Sequence, residues 1–234
     1  MAQATRNRAQ QDRGVYEARL GYALAASAYE SWHWFEFWRR NEVPIIRRWL
    51  DAIRPGTILD AGSGTGLYRT ILEGAGHRVI GADISEAMLA VQRQKFPSAP
   101  LVQANIGQLP FRAASFDNVL CTRVLSHIPP LRVAFSEFAR VAKLGAGVFL
   151  ADVHPQHRYN EMSIPIDGGR ISIETHKHPI ADVRTAIEGA GFRIVEFREY
   201  RLGELAWKPP VKGFENIYDE PERPIFYASF LRHP

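Results

Sequence analysis

The chain has 234 residues, 46% hydrophobic and 23% charged, which is the balance of a soluble globular domain with a sizeable core. Twenty-nine basic and 25 acidic side chains leave a formal charge of +4, and no run of five bases occurs, so a solvated surface is expected and no nucleic-acid footprint. The apolar runs are strand-sized, which excludes a transmembrane helix, and the single cysteine, Cys121, excludes an internal disulfide and fits a reducing cytoplasm.

Residues 1–14 are polar and basic and read as a disordered tail, not a secretory signal. Residues 15–52 read as helix, with Ile46, Trp49, Leu50 and Ile53 at the three- and four-residue spacing of one buried face. Strands and helices then alternate. Thr57–Ala61, Arg78–Asp83 and residues 101–104, 118–122 and 147–153 read as strands. Helices fall near 66–73, after Ser85 as a cap, and where Leu131, Ala134, Phe135, Phe138 and Val141 share a face. A loop of about twenty residues precedes a last helix carrying Ile180, Val183 and Ile187. Two strand-like runs, 192–200 and 224–231, follow with no convincing helix between them, so they should pair antiparallel. This order predicts one α/β domain over 15–234, a doubly wound, mostly parallel seven-stranded sheet closed by an antiparallel hairpin. Residues 15–53 would be a helical lid and 154–178 a substrate loop.

The stretch Thr57-Ile-Leu-Asp60-Ala-Gly62-Ser-Gly64-Thr65-Gly66 carries the chemistry. A strand runs into an acid and then three alternate glycines, which let the backbone turn sharply and approach a ligand. A dinucleotide turn would want G-x-G-x-x-G, but Leu67 occupies its third glycine position, and Asp60 would face a pyrophosphate unfavourably. Asp83 ends the second strand, where a carboxylate can accept both hydroxyls of a ribose.

LDAGSGTG, GADISEAML, VQANIGQLPF, SFDNVLCTRVLSHI and EFARVAKLGAGVFLADVHP, in this order, resemble class I methyltransferases of the ubiquinone/menaquinone-biosynthesis type (methyltransferase type 11). The resemblance implies a Rossmann-like methyltransferase fold that uses S-adenosyl-L-methionine. It places Asp60, Ala61, Gly62, Ser63, Gly64, Thr65 and Gly66 at the methionine part, Asp83 at the ribose, and Ile84 and Met88 beside the adenine. Asn105 stands where the family usually has Asp, its amide carbonyl still able to accept from the adenine amino group. The backbone N–H of Ile106 would meet the neighbouring ring nitrogen, and Thr122 would lie near the sulfonium. Tyr22-Ala-Leu-Ala-Ala-Ser-Ala-Tyr29 is similar to the family's tyrosine-flanked helix over the cofactor.

A sulfonium already carries an activated methyl, so the protein chiefly aligns nucleophile and methyl, and a base is needed only where the acceptor must lose a proton. His154, one residue past the fifth strand, is the first candidate base; His127 and Tyr29 follow. Trp32, Trp34, Phe35, Phe37 and Trp38 are candidates for lid and core together. His154, His157, His176 and His178 have metal-like spacing but no acidic ligand motif, so no metal is expected. Cys121, inside a strand, reads as a small core residue. No Asn/Asp-Pro-Pro-Tyr tetrad or Pro-Cys pair supports base methylation, and the added segments are too small for a macromolecular platform. The expected activity is methylation of a small molecule at O, N or C, in secondary-metabolite or quinone-type biosynthesis. The protein would be cytoplasmic, a monomer or homodimer. The alternatives are a cofactor-binding, cyclase-like protein and an RNA or protein methyltransferase.

Overall fold

The computed structural model describes residues 12–157, 162–205, 207 and 220–234. Its order is β1 (Asp12–Tyr16), α1 (Ala18–Ala25), α2 (His33–Asp51), β2 (Thr57–Ala61), α3 (Arg69–Gly74), β3 (Arg78–Asp83), α4 (Glu86–Lys95), β4 (Leu101–Gln103), β5 (Phe116–Thr122), α5 (Leu131–Val141), β6 (Ala142–Val153), β7 (Met162–Ile166), β8 (Gly169–Ile173), α6 (Ile180–Gly189), β9 (Arg193–Arg201) and β10 (Pro224–Arg232).

Seven strands form one sheet in the order β4-β3-β2-β5-β6-β10-β9. All neighbours are parallel except β10, which runs antiparallel to both β6 and β9. The expected antiparallel pairing of the last two strands is present, with the last strand inserted between β6 and β9. From β2 the chain winds outward through β3 and β4, then crosses to β5 and β6. That reversal opens a crevice at the carboxyl ends of β2 and β5.

Both faces of the sheet are covered, as near-continuous apolar strands require. Leu120 and Phe149 pack on one face with Ile46 and Trp49 of α2. Val119, Cys121, Val148 and Leu150 pack on the other with Phe135 and Phe138 of α5 and Val183 and Ile187 of α6. Helix α5 buries the five residues its spacing predicts. Cys121 is fully enclosed, and desolvation by burial pushes its thiol well above the usual range.

Three expectations change. Residues 15–52 do not form one helix: β1, α1, a 3-10 turn over Tyr29–Ser31 and α2 share the segment. Residues 1–11 of the proposed tail lie outside the described residues, while Asp12 opens β1, so the tail does not extend to residue 14. The loop expected over 154–178 contains the hairpin β7–β8, to which β1 adds as a parallel third strand. This small sheet is stabilised by burying Ile164, Ile171 and Ile173 at alternate positions against the main core. Helix α1 lies on it through Gly21, where a Cβ would stand 2.7 Å from Ile173 Cγ1. The lid is therefore a strand, two helices and a hairpin, each anchored by its own apolar contacts.

Candidate active site

Strand β2 ends at Ala61, and the N–H groups of Gly62 and Ser63 both donate to the Ala82 carbonyl, at 2.7 and 3.0 Å. Gly62 has φ +81°, and a Cβ there would lie 2.0 Å from Val124 Cγ2, so only glycine fits. Gly66, at φ +82°, keeps the turn left-handed, which delays helix α3 to Arg69. Asp83 anchors the loop from the next strand: Oδ2 accepts from Gly64 N and Oδ1 from Ser85 N, both at 2.8 Å. Ser85, not Asp83, caps α4, its hydroxyl accepting from Met88 N. Beneath the loop, the Gln92 amide nitrogen donates to Ser63 Oγ and the Gly64 carbonyl, while its oxygen accepts from Arg69 Nε.

The loop rims a cavity of about 530 Å³. Asp60 is buried at its floor, and Oδ2 has no hydrogen-bond partner among the described residues. Desolvation by burial raises its pKa to about 7, opposed by Arg69 and reinforced by Asp83. Asp83 is raised to about 6, again by burial, against the N–H groups it accepts. Thr65 Oγ1 is likewise buried without a partner among the described residues. An unpaired buried carboxylate calls for a cation, a free hydroxyl for a hydrogen-bond partner. The ammonium and carboxylate of a methionine moiety match these two groups, and a ribose diol matches the remaining lone pairs of Asp83. The donor set fits S-adenosyl-L-methionine. Ile84, Met88, Ile106 and Asn105 line the continuation of the cavity. Asn105 Oδ1 accepts from Gly107 N at 2.8 Å, which leaves one lone pair for a ligand.

Tyr22 and Tyr29 come down from the lid, their rings 5.9 Å apart edge to face. Thr122, Arg123 and His127 approach from the end of β5. Arg123 takes the left-handed conformation, φ +56°, with its N–H donating 2.7 Å to the Ala151 carbonyl. The guanidinium is thereby folded under the lid, where it donates to the buried carboxylate of Glu42 on α2 and, at 3.0 Å, to Tyr68 Oη. Tyr68 also donates to Glu42, and the rings of Trp38 and Tyr68 each lie 5.5 Å from the guanidinium carbon. Burial works against this charge, but Glu42 and Tyr68 outweigh it and hold Arg123 cationic.

Residues 59–150 match a family model described as a methyltransferase domain. The chain is 29% identical over 163 residues to a Mycolicibacterium smegmatis protein named as a probable S-adenosylmethionine-dependent methyltransferase. That alignment spans 69% of this chain and 60% of the relative. A demethylmenaquinone methyltransferase of Chlorobaculum tepidum is 30% identical over 50% of this chain and 48% of its own length. Residues 59–150 carry a methyltransferase domain, and the chain spans only about half to three fifths of the length of these two relatives. Among solved structures, the cyclase SpnF superposes with a TM-score of 0.68 at 16% identity, covering 96% of this chain and 99% of that one, a likeness of fold.

The fold brings most of the expected residues to one cavity: Tyr22, Tyr29, Asp60, Gly62, Ser63, Gly64, Thr65, Asp83, Ile84, Met88, Asn105, Ile106, Thr122 and His127. Ala61 and Gly66 stand behind it, Ala61 in the sheet core and Gly66 beside Gln92. His154 is a correction. Its backbone N–H pairs with the Ile225 carbonyl, and its Nε2 lies 2.8 Å from the Glu199 carboxylate on β9, so the buried ring faces away from the cavity. The last strand inserted beside β6 gives His154 a partner that chain order does not reveal. The loop histidines do not converge: His178 bonds the Ile128 carbonyl at 2.9 Å, and no group of three metal-type side chains forms among the described residues. Trp32, Trp34, Phe37 and Trp38 belong to the hydrophobic core.

Arg123, Glu42, Tyr68 and Glu174 were missed by the sequence reading. Glu42 had a signal: it shares an i, i+4 line with Trp38 and Ile46, and a charge on an apolar face implies a buried partner.

Proposed function

We propose that this protein transfers a methyl group from S-adenosyl-L-methionine to a small-molecule acceptor, within one domain that begins at β1, over residues 12–234. The observation that carries this reading is the buried pair Asp60 and Asp83 beneath the glycine loop, facing a cavity that the chain's own lid covers. When bound, the cofactor supplies an activated methyl on a cationic sulfur. Asp60 and Thr65 bind its amino-acid end, and Asp83 with Gly64 fixes the ribose. Tyr22 and Tyr29 exclude water and offer ring faces and phenol oxygens to the acceptor. The arrangement works by holding nucleophile and methyl in line, a contribution of up to about 7–11 kcal/mol in ideal cases. A cavity of about 530 Å³ suits one cofactor with a small partner. No described helix is long and apolar enough to cross a membrane. We read the protein as a cytoplasmic enzyme of quinone-type or secondary-metabolite biosynthesis, monomeric or homodimeric.

Asp83→Ala is expected to weaken cofactor binding by about ten- to a hundredfold, the cost of roughly 1.5–3 kcal/mol for a charged acceptor. Titration calorimetry on the purified protein measures it, and unchanged affinity would remove Asp83 from the site. Cofactor binding without release of S-adenosylhomocysteine over phenols, amines, quinones and indoles would favour a cyclase-like role instead.

A further inference from the structure

At the lid end of the cavity three groups are joined by hydrogen bonds that run in one direction. The backbone carbonyl of Glu174, just past β8, lies 2.8 Å from His127 Nδ1. A carbonyl only accepts, so Nδ1 carries the imidazole proton and Nε2 keeps its lone pair. Tyr22 Oη stands 2.9 Å from that Nε2. Its single proton goes to the imidazole, a stronger acceptor than the Met162 thioether also in reach. The phenol oxygen retains lone pairs in the cavity that both rings line.

The turn carrying His127 is itself fixed, because the buried Asp152 carboxylate on β6 accepts from Ser126 N at 3.0 Å. Desolvation by burial lowers the pKa of His127 and pushes that of Tyr22 well above its ordinary value, so the resting pair is uncharged. Asp152 faces the imidazole and favours its protonation, while His176 on the segment after β8 opposes it. Tyr29 of the lid, Arg123, Asp83 and Asp152 face the phenol.

We propose that Tyr22 and His127 form a proton relay for the acceptor, and that the acceptor is a hydroxyl compound of the phenol or enol class. The inference rests on the methyltransferase reading. A neutral amine attacks through its own lone pair and would leave the relay idle, whereas a hydroxyl is a poor nucleophile until its proton leaves. The acceptor O–H gives its proton to Tyr22 Oη as the phenol proton passes to His127 Nε2. The acceptor oxygen uses the freed pair to form the O–CH₃ bond. The methyl–sulfur bond breaks, and its electron pair stays on sulfur, cancelling the sulfonium charge. The positive charge ends on imidazolium, held by the Glu174 carbonyl and Asp152. Tyr22 touches the acceptor; His127 acts through it.

The test uses the purified full chain, S-adenosyl-L-methionine, and separate panels of phenols and amines, with S-adenosylhomocysteine release as the readout. Turnover of a phenol is expected, with Tyr22→Phe and His127→Asn each lowering it by about 10²–10⁴-fold and the double variant no worse than either single one. Cofactor affinity in both variants should stay within about threefold. The wild-type rate should fall only in acid, on a limb displaced below the ordinary imidazole value because burial lowers the His127 pKa, and His127→Asn should abolish that limb, which a merely structural histidine would not do. Nitrogen NMR of the wild type gives a readout independent of any variant: at neutral pH the His127 signal should show a protonated Nδ1 and a bare Nε2. A protonated Nε2, turnover of amines alone, no turnover of any phenol with cofactor bound, or variants within threefold of wild type would each overturn the relay. A wild-type chain that fails to bind the cofactor would remove the methyltransferase reading, and the relay with it.

Discussion

Exchanging Glu42 for leucine is expected to destabilise the protein by about 3–5 kcal/mol, because it strands a buried charge. Glu42 is fully buried, and one of its carboxylate oxygens accepts from both Arg123 and Tyr68. Without it the Arg123 guanidinium remains between the rings of Trp38 and Tyr68 with its counter-charge gone. For a chain of this size the loss corresponds to a fall in melting temperature of about 6–20 °C. The double change Glu42→Leu with Arg123→Leu should recover most of it, since an apolar pair needs no charge compensation. Thermal unfolding of the two variants measures both values. A single variant that melts with the wild type would show that the pair is not closed off from solvent.

Affinity for S-adenosyl-L-methionine is expected to be highest above pH 7 and to fall steeply in acid. The motivating groups are Asp60, raised to about 7, and Asp83, raised to about 6, chiefly by burial. On the proposed reading each would bind its part of the cofactor as a carboxylate, so protonation would compete with binding. One proton taken up costs about tenfold in affinity per pH unit below pH 7, and two cost about a hundredfold per unit below pH 6. The stability of the ligand-free protein has the opposite sign. Both folded pKa values lie above the ordinary 3.8. The folded state therefore binds more protons than the unfolded one between about pH 4 and pH 7. Stability from these groups falls as pH rises through that window, and the penalty is complete above pH 7. The cofactor ammonium offsets it, so the cofactor-induced rise in melting temperature should be larger at about pH 8 than at about pH 5.5. Equal shifts at both pH values would mean that neither carboxylate meets the ligand in its charged form.

The candidate site was legible because its determinants are local. The glycines at 62, 64 and 66 follow an apolar strand, and all three take backbone that other residues rarely adopt. Asp83 is the last residue of its strand and Asp60 the last but one of its own, and parallel strands deliver their carboxyl ends to one edge. His154 directly follows a strand and was expected beside them. Its ring instead turns to Glu199, because β10 pairs with β6 and brings β9 near it. That pairing joins residues far apart in the chain, and no local pattern encodes it.

What the sequence by itself determined is the part written in short-range periodicity. The alternation of strand and helix, the amphipathic face of α5, the Ser85 cap and the glycine loop are all set within about twenty residues of chain. Only the tertiary structure decided the lid and the polar contacts beneath it. The hairpin β7–β8 is short, and it is stable only because β1 pairs beside it and α1 covers it. The Glu42–Arg123 pair joins residues 81 apart, and the Tyr22–His127 bond joins residues 105 apart. Hydrogen bonds and ion pairs act over a few ångströms, so their partners are fixed by which segments the core brings together, after the apolar pattern has chosen the fold.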